Sequence, residues 1–164
     1  MTTPAPDLRL LVCGTAERGD DGAALAAISH VLPTFPDALR VRIEIRRCSS
    51  FAAADIIDVG SGLSCVLIDT VVGVEPGQVI TLPLDALARG HVGIALRSSH
   101  TLDVNAELLL AEAVRGALPP GTLVGIGGKW FGYGDRYSRA VRCGLPAFAD
   151  AIRLTVEEML SVPI

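Results

Sequence analysis

The sequence predicts an α/β protein, a three-layer sandwich in which helices cover both faces of a mostly parallel, twisted five-stranded sheet with one antiparallel strand. Three observations lead there. Apolar residues make up 50% of the chain but aromatic ones only 4%, so small and aliphatic side chains dominate, as close packing of helices on a buried sheet requires. Strand-like apolar runs alternate along the chain with apolar positions at helical spacing. The 164 residues suit a single core, so 1–164 reads as one domain.

Leu8 to Cys13 is apolar apart from Arg9, lies between Pro6 and Gly14, and reads as a buried first strand. From Asp21 to Leu32, Ala24, Leu25, Ile28 and Leu32 recur at helical spacing, with Gly19 or Asp20 as cap and Pro33 after the end. Val41, Ile43 and Ile45 alternate with Arg42, Glu44 and Arg46, the period-two pattern of a strand near a sheet edge. A short helix from Phe51 to Val59 leads through Gly60 and Gly62 into a third strand, Cys65 to Asp69. Only Gly73 to Gly77 separates this from Gln78 to Leu82, too short a link for a crossover helix, so the fourth strand is expected to run antiparallel to the third.

A short helix at Leu84 to Ala88 precedes an irregular stretch that continues to Ser99. Leu102, Ala106, Leu109, Leu110, Ala113 and Val114 then line one face of a helix, with Ser99 or Thr101 as cap and Pro119-Pro120-Gly121 as stop. Thr122 to Ile126 is the fifth strand. The last helix is expected from Leu145 to Leu160, with Phe148, Ile152, Val156, Met159 and Leu160 inward and Pro163 beyond its end.

The net charge of −4, with both signs dispersed, lacks the basic stripe that nucleic-acid binding requires. No apolar run approaches the length of a membrane span, and the first seven residues lack the regions of a signal peptide, so the expectation is a cytoplasmic protein with neither nucleic acid nor membrane as partner. Cys13, Cys48, Cys65 and Cys143 are far apart in sequence and read as reduced, structural thiols.

Ligands of open α/β sheets bind outside the carboxyl ends of the strands, where Asp21, Asp69 and His100 would converge. Asp20 and Asp21 open a helix whose dipole favours negative charge, although a cap and its companion would look the same. Asp69 ends an apolar strand, where a carboxylate is costly unless it is paired, hydrogen-bonded or bound to a cation. His100 stands just before a long helix, whose field keeps an imidazole neutral and able to coordinate. Two carboxylates and one imidazole form a mixed oxygen and nitrogen site with open positions, suited to nickel or zinc. His91 is a competing ligand in the same loop, and His30 lies on the far side.

Four segments carry a family resemblance. Val12-Cys-Gly-Thr-Ala-Glu-Arg-Gly-Asp-Asp-Gly22 resembles the opening Gly-Asn-x-x-x-x-Asp-[Glu/Asp]-Gly signature of the proteases that mature nickel-iron hydrogenase large subunits. Leu67-Ile-Asp-Thr70, followed by Pro76-Gly77, resembles the family's Ile-x-Asp-Ala segment, and Ser98-Ser-His-Thr-Leu-Asp103 its Ser-x-His-x-x-[Gly/Asp] motif. Tyr137-Ser138 with Val141 is similar to its late Leu-Ser-x-x-Val segment. The resemblance spans most of residues 8 to 160. It implies an endopeptidase that removes the C-terminal extension of a hydrogenase large-subunit precursor. It also implies that Asp21, Asp69 and His100 form the metal site and the catalytic set, reading nickel that the precursor carries.

The chain departs from the pattern at Thr15, where Asn is usual, and at Asp21, where Glu is usual. Arg47-Cys-Ser-Ser-Phe51 and Gly127-Gly-Lys-Trp-Phe-Gly132 also replace characteristic segments, which bears on substrate choice and on whether cutting is retained. The principal rival is therefore a non-proteolytic homologue that binds a metal or a partner in assembly. A phosphoacceptor receiver domain fits less well, because its acidic pair directly follows the first strand, whereas Asp20 and Asp21 lie well beyond Cys13. Gly14-x-x-x-x-Gly19 continues as Asp-Asp and so lacks the Lys-Ser/Thr of a phosphate loop. Trp130, Phe131, Tyr133 and Tyr137, set among Arg136, Arg139 and Arg142, have the composition of an interface hot spot and mark a candidate docking surface for a protein substrate.

Overall fold

The first apolar run forms β1, Leu8–Cys13, buried along its whole length. The structure, a computed structural model, describes residues 5–90, 93–97 and 102–161. The other strands are β2 (Ile43–Cys48), β3 (Ser64–Val72), β4 (Val79–Pro83), β5 (Ala95–Leu96) and β6 (Gly121–Gly127). The helices are α1 (Ala23–Val31), α2 (Asp37–Arg40), α3 (Ala53–Ile57), α4 (Leu84–Ala88), α5 (Val104–Arg115) and α6 (Arg139–Ser161).

The sheet runs in the order β2-β1-β3-β6-β4, with β5 paired to β3 outside that path. β2, β1, β3 and β6 are parallel, and β4 and β5 are antiparallel to their neighbours. The expected mostly parallel sheet is present, with β5 as a sixth strand of two residues, too short to show a period. β4 reverses direction as expected, but its partner is β6, not β3. The link from β3 to β4 passes over the end of β6, where Gly77 N–H donates to the Gly127 carbonyl and Gly127 N–H to that of Gln78, both at 2.8 Å.

Strand alternation divides the core in two. On one face Leu8, Leu10, Val12, Val66, Ile68 and Val124 pack beneath α1 and α6. On the other Leu11, Cys65, Leu67 and Leu123 pack with Ile56 of α3, Leu87 of α4 and Leu108 of α5. The interruption in β1 is held by two carboxylates: buried Arg9 pairs with Glu44 at 3.0 Å and with Asp58 at 3.3 Å.

Several expected details differ. α5 buries Val104, Glu107, Leu108 and Ala111, while Leu109, Leu110 and Val114 of the expected inner stripe are exposed. The cause is Glu107, whose carboxylate accepts the N–H of Ala53 at 2.7 Å, at the positive end of α3. α6 starts six residues before the expected Leu145 and carries Pro146 inside, although proline near a helix start ordinarily marks the first turn. Residues 19–22 form a separate 3-10 turn ahead of α1. Cys13 and Cys48, expected to be reduced, form a disulfide across β1 and β2 with Cα atoms 4.7 Å apart; their 35-residue separation in sequence conceals a strand register that sets them opposite each other. Cys65 and Cys143 are free, and burial pushes the Cys65 thiol up to about 12, so it is inert. Among the described residues no helix is long and apolar enough to cross a membrane.

Candidate functional site

The site lies at the carboxyl ends of β1 and β3. Val12 of β1 stands opposite Ile68 of β3, which sets Asp69 level with the last residue of β1. Asp69 is fully buried and its Oδ1 accepts the N–H of Thr70 at 2.8 Å. By strand alternation it shares a face with Leu67 and Val71, the face that α5 covers.

After β1 the chain turns at Gly14, whose φ of +134° is open to glycine, and a Cβ there would strike the main chain of Asp21. This close approach brings Asp21 back to the strand end, where its Oδ2 accepts the N–H of Thr15 at 2.9 Å. Asp21 is itself buried. Thr15 therefore holds the candidate carboxylate through its main chain.

Asp20, a candidate for the helix cap, is engaged elsewhere. It does not cap α1: its carboxylate takes the N–H groups of Lys129 at 2.8 Å, Trp130 at 2.9 Å and Ser138 at 2.7 Å. Its own N–H donates to the Trp130 carbonyl at 2.8 Å, and its carbonyl accepts the hydroxyl of Thr70 at the same distance. Asp20 is fully buried, and these bonds replace the hydration its charge gives up. It thereby joins three segments: the turn that carries Asp21, the residue after Asp69, and the aromatic loop after β6. Thr70 and Asp20 are the residues that sequence reasoning missed as organisers. The visible signal was the glycine-rich stretch 127–134, most of which runs on beyond the end of β6.

The aromatic loop closes over this junction. Gly19, at φ +56°, leaves room for the indole of Trp130, which a Cβ would strike. The Arg18 guanidinium lies 3.9 Å from the Tyr133 ring centre, and Arg97 lies 4.5 Å from that of Phe131. Tyr137 packs at the core edge; burial, then Asp135 and Asp20, pushes its phenol above its ordinary range.

Of the expected set, Asp21 and Asp69 come to one edge of the sheet, while His100 and the competing His91 lie outside the described residues, as do the capping candidates Ser99 and Thr101. His30 is exposed at the end of α1, beside Leu145 and Pro146. Among the described residues no group of three His, Cys, Asp or Glu side chains is placed to hold a metal. The two carboxylates supply hard oxygen donors and a possible proton acceptor, and a metal site here needs further ligands. A cavity of about 660 Å³ opens instead at the opposite end, where Arg42 is paired to Asp7 and Arg115 donates to the carbonyls of Ile56, Ile57 and Val59. Its arginines are thus already engaged.

No family model matches the chain, and no curated protein matches it in sequence. Solved structures do. The hydrogenase maturating endopeptidase HybD from E. coli superposes with a TM-score of 0.69 over 92% of each chain at 16% identity. The chain has the hydrogenase maturation protease fold. A [NiFe] hydrogenase maturation protease HybD from Thermococcus kodakarensis gives 0.60 at 19% identity, covering 91% of this chain and 98% of its own. A hydrogenase 2 maturation peptidase from a Thaumarchaeota archaeon gives 0.57 at 19% identity, over 92% and 97%. In this hydrogenase maturation protease fold, both aspartates lie buried at the carboxyl ends of the parallel strands, the edge at which open α/β sheets bind ligands.

Proposed function

We propose that this protein is an endopeptidase that removes the C-terminal extension of a nickel-loaded hydrogenase large-subunit precursor, with Asp21, Asp69 and His100 reading the metal. The observation that carries the reading is the pair of buried carboxylates at the ends of β1 and β3, on a fold shared with proteins named for that activity. The order of the motifs at residues 12–22, 67–70 and 98–103 supports it further.

Nickel belongs to the substrate in this scheme. An incomplete set of ligands holds a metal whose remaining ligands come from the precursor, and a precursor without metal offers no anchor. The anchored metal sets the scissile bond beside the carboxylates. Water then attacks the peptide carbonyl, with polarisation by the metal and proton acceptance by an aspartate both consistent with these groups. The proton passes to the leaving amine as the C–N bond breaks. The cytoplasm is the proposed compartment, where the Cys13–Cys48 bridge would be subject to reduction.

The test is to incubate the protein with one precursor in nickel-free and nickel-loaded forms and to follow chain length on a denaturing gel. Shortening of the loaded form alone is expected. Equal cutting of both forms would remove the metal-reading role, and cutting of neither would favour an assembly homologue.

A further inference from the structure

Half of the 14 Lys and Arg side chains have a local partner, and the other half gather at one end of the molecule. Arg9, Arg40, Arg42, Arg46, Arg89 and Arg153 form ion pairs, and Arg115 holds main-chain carbonyls. Arg18, Arg47, Arg97, Lys129, Arg136, Arg139 and Arg142 have no carboxylate partner among the described residues. They follow β1, β5 and β6, end β2 and begin α6, all at the carboxyl edge of the sheet. Residues 128–142 contain four cations and a single carboxylate, Asp135, in a chain whose net charge is −4. Asp20, Asp21 and Asp69 lie at the same end but are buried, whereas Arg18, Arg136 and Arg139 are exposed, so positive charge dominates the outer surface of the loop after β6.

Two of these arginines are also pre-set. Arg18 lies on the Tyr133 ring and donates to its hydroxyl at 3.0 Å, and Arg97 lies on Phe131. A stacked guanidinium keeps its plane fixed and its remaining N–H edges available for a carboxylate, which lowers the entropy lost on binding. Asp20 anchors the same loop through three hydrogen bonds.

We infer that this basic and aromatic end is a docking surface for an acidic, extended polypeptide segment. Carboxylates fit it better than nucleic acid. A guanidinium covers one face of Tyr133 and of Phe131, and Trp130 lies against both Gly19 and Gly132, so the surface offers fixed guanidinium edges more than a row of rings for stacking. The inference rests on the proposed function only in taking the docked protein to be the substrate.

Trp130 is the sole tryptophan, so its emission reports directly on this surface. The full chain is titrated with a short synthetic Glu-rich peptide, and separately with a thymidine oligonucleotide of equal charge. The peptide should give a saturable change that weakens with salt and weakens at least about tenfold in Arg136→Glu/Arg139→Glu, as loss of steering and pairing charges requires. Arg40→Glu/Arg153→Glu, on other surfaces, should bind as the parent does. No saturable change, an equal loss in both variants, or tighter binding of the oligonucleotide overturns the inference. A precursor cut equally well by the parent and by Arg136→Glu/Arg139→Glu overturns it too, while leaving the proposed activity standing.

Discussion

The carboxylate of Asp20 accepts the main-chain N–H of Ser138 at 2.7 Å, across 118 positions of sequence. With Lys129 and Trp130 on its other oxygen, this carboxylate fixes the loop between β6 and α6 to the turn that presents Asp21. An amide in its place would set its NH2 against N–H donors or leave some of them unmet. Asp20→Asn should therefore cost about 3–5 kcal/mol, the scale for breaking buried, charge-assisted bonds. Urea unfolding measures the loss. Trp130 emission should shift to the red in the folded variant as the loop loosens.

The inward face of α5 is tested by a pair of substitutions. Leu108 is fully buried, so Leu108→Ala should destabilise by about 2–5 kcal/mol. Leu110 is 48% exposed, so Leu110→Lys should stay within about 0.5 kcal/mol of the parent. Thermal unfolding of the two variants compares them directly, and the reverse order would restore the stripe expected from sequence.

The Cys13–Cys48 bridge closes a 35-residue separation between neighbouring strands. Reducing it, or replacing Cys48 by Ser, should lower stability by about 2–4 kcal/mol, mainly by freeing the unfolded chain. Denaturant midpoints with and without reductant measure the difference, and mass spectrometry after thiol labelling of the unfolded chain should show two more labelled thiols on reduction.

Acid should act on Arg9 through Glu44. Burial pushes the Glu44 carboxyl up, but the hydrogen bonds and charges of Arg9 and Arg46 outweigh it and hold it below its ordinary 4.5. A folded-state value below the unfolded one gives stability that is fully present above pH 4.5 and lost as pH falls through the lowered value. Glu44→Gln should be less stable than the parent at neutral pH, and the two stability curves should converge below that window. Unfolding free energies measured across acid pH check the convergence.

Much of the fold was legible because it was written in local periods. β1 is a continuous apolar run, α4 has its expected limits from Leu84 to Ala88, and the short link after β3 required a reversed β4. What was obscure depended on contacts distant in sequence. The buried Glu107 defeats an apolar-stripe reading of α5, because its partner Ala53 lies 54 positions away. The Cys13–Cys48 pairing follows from register, which no spacing reveals. At the site, Asp21 and Asp69 could be picked out as carboxylates at strand ends, whereas the hub formed by Asp20 and Thr70 needs three separate segments in place to be seen.

The most direct test of the central claim is the intact mass of a nickel-loaded hydrogenase large-subunit precursor after incubation with this protein and, separately, with its His100→Ala and Asp69→Asn variants. The account predicts a discrete loss of a C-terminal fragment with the parent and an unchanged mass with either variant. An unchanged mass with the parent on a precursor of confirmed nickel loading, or the same fragment released by both variants, would contradict it.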